Sequence, residues 1–118
     1  MNLFIFDYQD TLTRLSDPVA FVKALKEKDP SAQVVLYTGT DKERVEATHP
    51  SLWSTVDAVW EKPCFIKDYL MGMVIERVVL VDDDVNIRQT AQRILRGIPT
   101  IPDIAILEPD ALPGLLLG

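Results

Sequence analysis

Five short apolar runs constrain the fold of this chain more than any other feature. They are rich in Val, Ile, Leu and Phe and do not alternate strictly with polar residues. This pattern is typical of strands that are buried on both faces of a parallel sheet. We therefore predict strands over residues 3–6, 33–38, 56–60, 77–82 and 104–107.

Stretches with helical character separate these predicted strands. Asp17 followed by Pro18 favours the start of one helix, and Gly97 favours the end of another. We predict helices over residues 17–28, 40–49, 64–75 and 84–97. Strands and helices in this order predict a mainly parallel sheet covered by helices on both faces. The expected fold class is α/β, with residues 1–118 forming a single Rossmann-like three-layer α/β/α domain.

The C-terminal stretch 108–118 is punctuated by Pro and Gly residues, so it could be either a short packing segment or a frayed tail. A frayed tail would expose Leu115, Leu116 and Leu117 to water. We therefore predict that this stretch packs against the domain.

Composition limits the classes of partner and of chemistry. The 118 residues carry a formal net charge of −6, and the Lys and Arg residues are scattered, which argues against a nucleic acid or an anionic membrane surface as partner. The single cysteine, Cys64, excludes an internal disulfide, and a single histidine, His49, leaves few ligands for zinc. We see no secretory signal and no apolar run of the roughly 20 residues that span a bilayer. The expected location is the cytoplasm.

Polar residues follow four of the predicted strands at their carboxyl ends, where parallel sheets bind ligands. Two carboxylates from different strands can hold a hard cation such as Mg²⁺. A lysine beside them can neutralise phosphoryl oxygens, and a threonine hydroxyl with backbone N–H groups near a glycine can bind another oxygen. The sequence therefore predicts a site that handles phosphate, built from Asp7, Thr38, Gly39, Lys62, Asp82, Asp83 and Asp84.

Each of these residues also has a simpler interpretation. A lone Asp at a strand end is commonly a helix cap, Thr-Gly is commonly a turn, and Lys-Pro is commonly a solvated loop. Their shared position favours the functional interpretation, because a random scatter of polar residues would rarely place all of them at the same end of successive strands.

Four segments of the chain resemble the motifs of the haloacid dehalogenase-like (HAD) superfamily of phosphohydrolases. They are "FIFDYQDTLT" with Asp7, "VVLYTGT" with Thr38, "WEKP" with Lys62 and "VVLVDDD" with Asp82 and Asp83. The four motifs occur in the order of the family and span about residues 3 to 96.

The resemblance implies a role for each matched residue. Asp7 would attack phosphorus and form an aspartyl-phosphate, Thr38 would bind a phosphoryl oxygen, and Lys62 would hold both Asp7 and the phosphate. Mg²⁺ would be bound by Asp7, by the backbone carbonyl of Gln9 and by Asp83, with Asp82 near the coordination shell.

The resemblance also bears on the shape of the site and on its partners. Many members carry a cap domain, but the connection from Asp7 to Gln33 has room for little more than the first helix. Between Thr38 and Lys62 we expect only a helix, a loop and a strand. The resemblance thus implies a member without a sizeable cap. Such an open site suits a phosphorylated small molecule or macromolecule, or is closed by a second copy or a partner chain.

Gln9 departs from the family pattern. In the phosphatases of the family this position holds a second Asp, which protonates the leaving oxygen and then activates water. An amide cannot do so, and general acid–base help is worth about 10²–10⁴-fold in rate. Asp10 occupies the next position, often Gly in the family, and its side chain is expected to point away from the site.

Three hypotheses about function therefore stay open. The first is a Mg²⁺-dependent phosphohydrolase that is slow or specialised because of Gln9. The second is a catalytically weak or inactive regulatory module that binds phosphate or metal, and the third is a structural protein with a solvated acidic patch. The stretch 78–95 also resembles the start of a response-regulator receiver domain, but too few residues follow it to complete such a domain.

Overall fold

The computed structural model of the chain describes residues 1–62, 70 and 72–117. Within these residues, five strands form one sheet in which all neighbouring strands are parallel, in the order β3-β2-β1-β4-β5. The strands are β1 Asn2–Asp7, β2 Ala32–Thr38, β3 Ala58–Glu61, β4 Arg77–Val81 and β5 Asp103–Leu107. All five predicted strands are confirmed, with ends that differ by at most two residues.

The described part of the chain contains four α-helices, α1 Pro18–Lys28, α2 Lys42–Thr48, α3 Pro50–Thr55 and α4 Val85–Arg96. Short 3₁₀ helices cover Leu12–Arg14, Pro109–Ala111 and Pro113–Leu116. As predicted, α1 begins with a cap, since the carboxylate of Asp17 accepts a hydrogen bond from the backbone N–H of Ala20 at 3.0 Å. The predicted helix over 64–75 lies mostly outside the described residues, but its expected end is wrong, because residues 72–75 are not helical and Gly72 has a φ of 83°.

Helix α3 corrects the expected loop between α2 and β3. Pro50 occupies the first helical position, where its fixed φ suits a helix and its missing N–H costs nothing. Leu52 is buried against the sheet, so the helix also contributes to the core.

The sheet carries an apolar core on each face, because successive strand residues point to opposite sides. On one face Phe4, Phe6 and Leu36 pack with residues from α1, α2, α3 and the C-terminal segment. On the other face Ile5 and Leu80 pack with residues from α4. The domain is therefore a three-layer α/β/α sandwich of Rossmann-like type, as predicted.

The C-terminal segment packs as predicted except at one residue. Leu115 and Leu116 are partly buried against the core. The ammonium group of Lys28 donates hydrogen bonds to the carbonyls of Leu115 and Leu117, at 3.0 and 2.7 Å. The side chain of Leu117 nevertheless remains 74% exposed, so the expectation of packing is wrong for this residue. Its backbone is held while its side chain faces water.

The connections at the carboxyl end of the sheet are short where the structure describes them completely. A 3₁₀ helix and α1 join β1 to β2, and α2 and α3 join β2 to β3. Neither connection contains a sizeable cap domain. Among the described residues, no helix has both the length and the apolar character needed to cross a bilayer.

Candidate functional site

The carboxyl edge of the sheet brings together three charged side chains from three strands. The ammonium group of Lys62 lies 2.7 Å from Oδ1 of Asp7 and 2.8 Å from Oδ2 of Asp82. Asp7 ends β1, Asp82 follows β4, and these two strands are neighbours in the sheet. Lys62 follows β3, which is separated from β1 by β2. The predicted convergence of these three residues is therefore present.

Lys62 reaches Asp7 by crossing the end of β2. Adjacent strands lie about 4.8 Å apart, so the side chains of Lys62 and Asp7 together bridge a gap of roughly 10 Å between β3 and β1. Its ammonium group lies 5.0 Å from the centre of the Tyr37 ring, within the range of a cation–π contact. The backbone N–H of Lys62 donates a hydrogen bond of 2.7 Å to the carbonyl of Thr38. Strand β2 thus orients Lys62 at both its backbone and its side chain.

Three carboxylates form an acidic cluster at this edge, defined by Asp7, Asp82 and Asp83. One oxygen from each lies within 4.8 Å of the others. Asp7 and Asp82 are buried, whereas Asp83 is exposed. Hard divalent cations prefer oxygen ligands of this kind, and the open side at Asp83 leaves room for water or a phosphoryl oxygen in the coordination shell. The acidic cluster is thus the group of described residues that could hold a hard divalent cation.

The pKa values of Asp7, Asp83 and Lys62 are shifted at this site. Burial raises the pKa of Asp7 to about 7, and the nearby Asp83 and Asp82 add to the rise against the opposing effect of Lys62. The pKa of Asp83 is lowered, first by its side-chain hydrogen bond with Asp7. Burial disfavours the charged form of Lys62, but its hydrogen bonds to Asp7 and Asp82 outweigh burial and raise its pKa. The site thus holds more negative charge than one lysine balances.

Hydrogen bonds hold the buried Asp82 in a single orientation. Its Oδ1 accepts from the backbone N–H of Asp84 at 2.9 Å, while Oδ2 accepts from Lys62. Its backbone carbonyl accepts from Nη1 of Arg88 at 2.8 Å, and Nη2 of Arg88 lies 3.3 Å from Glu108. The Asp84 carboxylate accepts from the N–H of Asn86 and caps α4. Asp84, expected at the strand end with the other acids, is therefore a helix cap outside the acidic cluster.

Thr11 is a positioning residue that the sequence did not reveal. Its buried hydroxyl donates a hydrogen bond of 3.1 Å to Oδ2 of Asp7. Since Lys62 binds the other oxygen, both oxygens of Asp7 have a donor. The signal in the sequence is a threonine four residues after the strand-end Asp, at the start of the first 3₁₀ helix.

Thr38 lies at the same edge, and Gly39 follows it. Thr38 is buried, and its hydroxyl oxygen accepts a hydrogen bond from the backbone N–H of Thr40 at 2.9 Å. Gly39 is exposed, and a Cβ built there would meet nothing within 4 Å. The turn therefore does not require glycine on steric grounds.

Gln9 and Asp10 form the exposed turn after β1. Within the described residues, the Gln9 side chain makes no hydrogen bond and Asp10 is not part of the acidic cluster. Asp10 has a φ of 58°, the left-handed conformation that favours glycine, and its N–H donates to the hydroxyl of Thr13 at 3.0 Å. The identity of residue 10 is therefore constrained by backbone conformation.

The single histidine, His49, is not part of the acidic cluster. The ring of His49 packs edge-on against Tyr8, with 5.7 Å between ring centres. Cys64 lies outside the described residues.

The chain was compared with protein-family models, with curated proteins and with solved structures, and none of these comparisons gives a match.

Proposed function

We propose that this protein is a Mg²⁺-dependent phosphohydrolase of the HAD-like type, acting through an aspartyl-phosphate on Asp7. The observation that supports this proposal best is the position of Lys62, whose ammonium group bridges Asp7 and Asp82 at 2.7 and 2.8 Å beside the third carboxylate of the acidic cluster. An ionised carboxylate, a cation and a set of oxygen ligands then meet at one open edge, which is what phosphoryl transfer requires.

Each residue has a defined part in the proposed reaction. An oxygen of ionised Asp7 attacks phosphorus, the bond from phosphorus to the leaving oxygen breaks, and the leaving group departs. Lys62 holds Asp7 and neutralises a phosphoryl oxygen, and the Thr38 hydroxyl binds another. Water then attacks the aspartyl-phosphate, releasing inorganic phosphate and restoring Asp7. Bound Mg²⁺, held by Asp7, Asp83 and the carbonyl of Gln9 with Asp82 nearby, would supply positive charge to the transferring phosphoryl group.

Gln9 restricts the substrates that such an enzyme would turn over. Since its amide cannot protonate the leaving oxygen, the leaving group departs as an anion and takes its proton from water. Acyl phosphates and aryl phosphates tolerate this, because their leaving groups are weak bases. Simple alkyl phosphates would be slower by the roughly 10²–10⁴-fold that general acid–base catalysis supplies.

Release of inorganic phosphate tests this proposal. Acetyl phosphate and an aryl phosphate are incubated with Mg²⁺ and either the wild-type protein or the Asp7→Asn variant. We expect phosphate release by the wild type and its loss in the variant. Equal inertness of both proteins on every substrate would contradict the enzymatic proposal.

A second candidate is a regulatory module that binds phosphate or metal with little or no turnover. It is favoured by one feature, the exposed Gln9, which lacks the acid–base group of a phosphatase. Mg²⁺ should raise the melting temperature in both cases, because a ligand that binds the folded state stabilises it. Asp83→Asn should weaken that rise, whereas Asp84→Asn removes the same charge outside the acidic cluster and keeps a capping side chain. Binding without turnover would favour the module, and no effect of Mg²⁺ would leave only a structural role.

A further inference from the structure

A small cavity opens directly beside the acidic cluster. Its volume is about 220 Å³, and Asp83 belongs both to the acidic cluster and to the cavity wall. Clefts that hold a whole drug-sized ligand measure roughly 300–1,000 Å³, so this cavity suits one group of a ligand. Its lining consists of Arg14, Asp83, Arg88, Glu108, Pro109 and Asp110.

Arg14 is attached to the same turn that carries Asp7. The hydroxyl of Thr11 donates to Asp7, and the backbone N–H of Arg14 donates to the carbonyl of Thr11 at 3.2 Å. A 3₁₀ helix, Leu12–Arg14, fixes the intervening backbone. Arg14 therefore lines the cavity from a backbone that is anchored to the proposed nucleophile.

The two arginines of the cavity differ in their partners. Arg88 is held by the Asp82 carbonyl at 2.8 Å and by Glu108 at 3.3 Å, and its side chain is only 16% exposed. Arg14 is exposed and has no ion pair or side-chain hydrogen bond within the described residues. Arg88 is thus committed to the protein, whereas the five N–H donors of Arg14 have no partner among the described residues and are left for a ligand.

We propose that this cavity binds a second anionic group of the phosphorylated substrate, a carboxylate or phosphate, and that Arg14 is the residue that recognises it. The inference rests on the proposed function, since it places the transferred phosphoryl group at Asp7 and the second group beyond Asp83. A guanidinium fork matches the two oxygens of such a group better than a lysine would. The substrate class is then a phosphorylated small molecule with two acidic groups.

Three acidic residues line the cavity and would repel an anionic ligand unless other charges balance them. Glu108 is balanced by Arg88, and Asp83 would be a ligand of the Mg²⁺ in the proposed function. Asp110 is exposed on the 3₁₀ helix Pro109–Ala111 and is the carboxylate left to repel an anion. Replacing Asp110 should therefore strengthen binding of an anionic group, whereas it would weaken binding of a cationic one.

Binding of three phosphonates in the presence of Mg²⁺ tests this inference without relying on turnover. Phosphonoacetate, propylphosphonate and aminoethylphosphonate carry an anionic, a neutral and a cationic tail. By titration calorimetry, we expect the wild type to bind phosphonoacetate about tenfold more tightly than propylphosphonate, as for a charge-assisted pair, and aminoethylphosphonate most weakly. Equal affinity for all three, or preference for the cationic tail, would overturn the inference.

Variants separate the contribution of Arg14 from any chelation of Mg²⁺ by the carboxylate tail. Arg14→Gln should abolish the preference for phosphonoacetate and leave the affinity for propylphosphonate unchanged. Arg93→Gln removes the same charge from an exposed position on α4 that does not line the cavity, and should keep the preference. Asp110→Asn should strengthen phosphonoacetate binding a few-fold. If Arg14→Gln keeps the preference, the role of Arg14 is overturned and the proposed function is unaffected. If the wild type binds none of the phosphonates, both the inference and the proposed function are overturned.

Discussion

Lys62 and Asp7 form a 2.7 Å ion pair across 55 positions of sequence, and Asp82 joins the same ammonium group at 2.8 Å. The pair connects the strand at one edge of the sheet to the central strand. It gives Asp7 one of its two hydrogen-bond donors, the other being Thr11. The stability of the carboxyl edge and its proposed chemistry therefore depend on the same contact.

Replacing Lys62 should destabilise the metal-free protein. In Lys62→Met, the buried carboxylates of Asp7 and Asp82 lose their shared cation, and breaking a buried pair from one side costs about 3–5 kcal/mol. Lys62 is not fully buried, so we expect a loss at the lower end of this range, about 3 kcal/mol in the free energy of unfolding. Urea denaturation at a pH above the pKa of Asp7 measures this loss.

Lys26→Met is the matched control for this variant. Lys26 also forms a 2.7 Å ion pair, with Asp57, but its side chain is 33% exposed and that of Asp57 is 26% exposed. Such pairs contribute about 1 kcal/mol or less. Equal losses in the two variants would show that Lys62 does not have the role assigned to it.

The raised pKa of Asp7 predicts how stability depends on pH. Its value rises from 3.8 to about 7 on folding, so the folded state binds the proton more tightly than the unfolded chain does. The stabilisation of the folded state by this proton binding is complete below about pH 4 and is lost as the pH rises through about 7. In metal-free protein, urea denaturation of Asp7→Asn should show a smaller decline over this window than the wild type. Parallel curves for the two proteins would contradict the prediction.

Asp10 should respond to substitution according to its left-handed backbone. This conformation costs a residue with a Cβ roughly 1–2 kcal/mol, less for Asn and Asp, and nothing for Gly. Asp10→Ala should therefore lower the free energy of unfolding by about 1 kcal/mol, whereas Asp10→Asn should leave it unchanged. Asp10→Gly should equal the wild type or exceed it by up to about 1 kcal/mol. Thermal denaturation of the three variants measures this order, and an Ala variant as stable as the Gly variant would refute it.

Gln9→Asp tests whether one missing group limits the proposed enzyme. A carboxyl group at this position would restore proton transfer, so turnover of an alkyl phosphate should rise by about 10²–10⁴-fold. Steady-state phosphate release measures this gain in turnover. Asp10→Glu is the control, because it lengthens a carboxylate side chain in the same turn without placing one at position 9. No gain in Gln9→Asp would point to a deeper loss of catalysis or to a different reaction.

Much of the fold and the core of the candidate site were predictable, because both depend on simple repeats. Short apolar runs can hardly be anything but buried strands when helical stretches separate them. Parallel strands then place residues 7, 38, 62 and 82 at one edge by topology alone. Asp7, Lys62 and Asp82 follow this rule, and Asp83 joins them because it comes next in the chain.

The features that sequence reasoning missed depend on local geometry and on packing. Helix α3 is only six residues long, and its signal was a single proline after His49. Thr11 and Arg14 lie in a turn whose shape depends on a left-handed residue, so their approach to Asp7 and to the cavity has no periodic signal. The ion pair of Arg88 with Glu108 depends on how α4 packs, so the sequence alone does not indicate it.

The most direct measurement of the central claim is the intact mass of the protein after exposure to acetyl phosphate and Mg²⁺. Because Gln9 cannot activate water, hydrolysis of the aspartyl-phosphate should be the slow step of turnover, so the wild type should accumulate one phosphoryl group, located by peptide mapping at Asp7. Asp7→Asn should gain none, and Asp10→Asn should gain as much as the wild type. An unmodified wild-type protein, or equal modification of Asp7→Asn, would contradict the proposal that Asp7 is the nucleophile of a phosphoryl-transfer site.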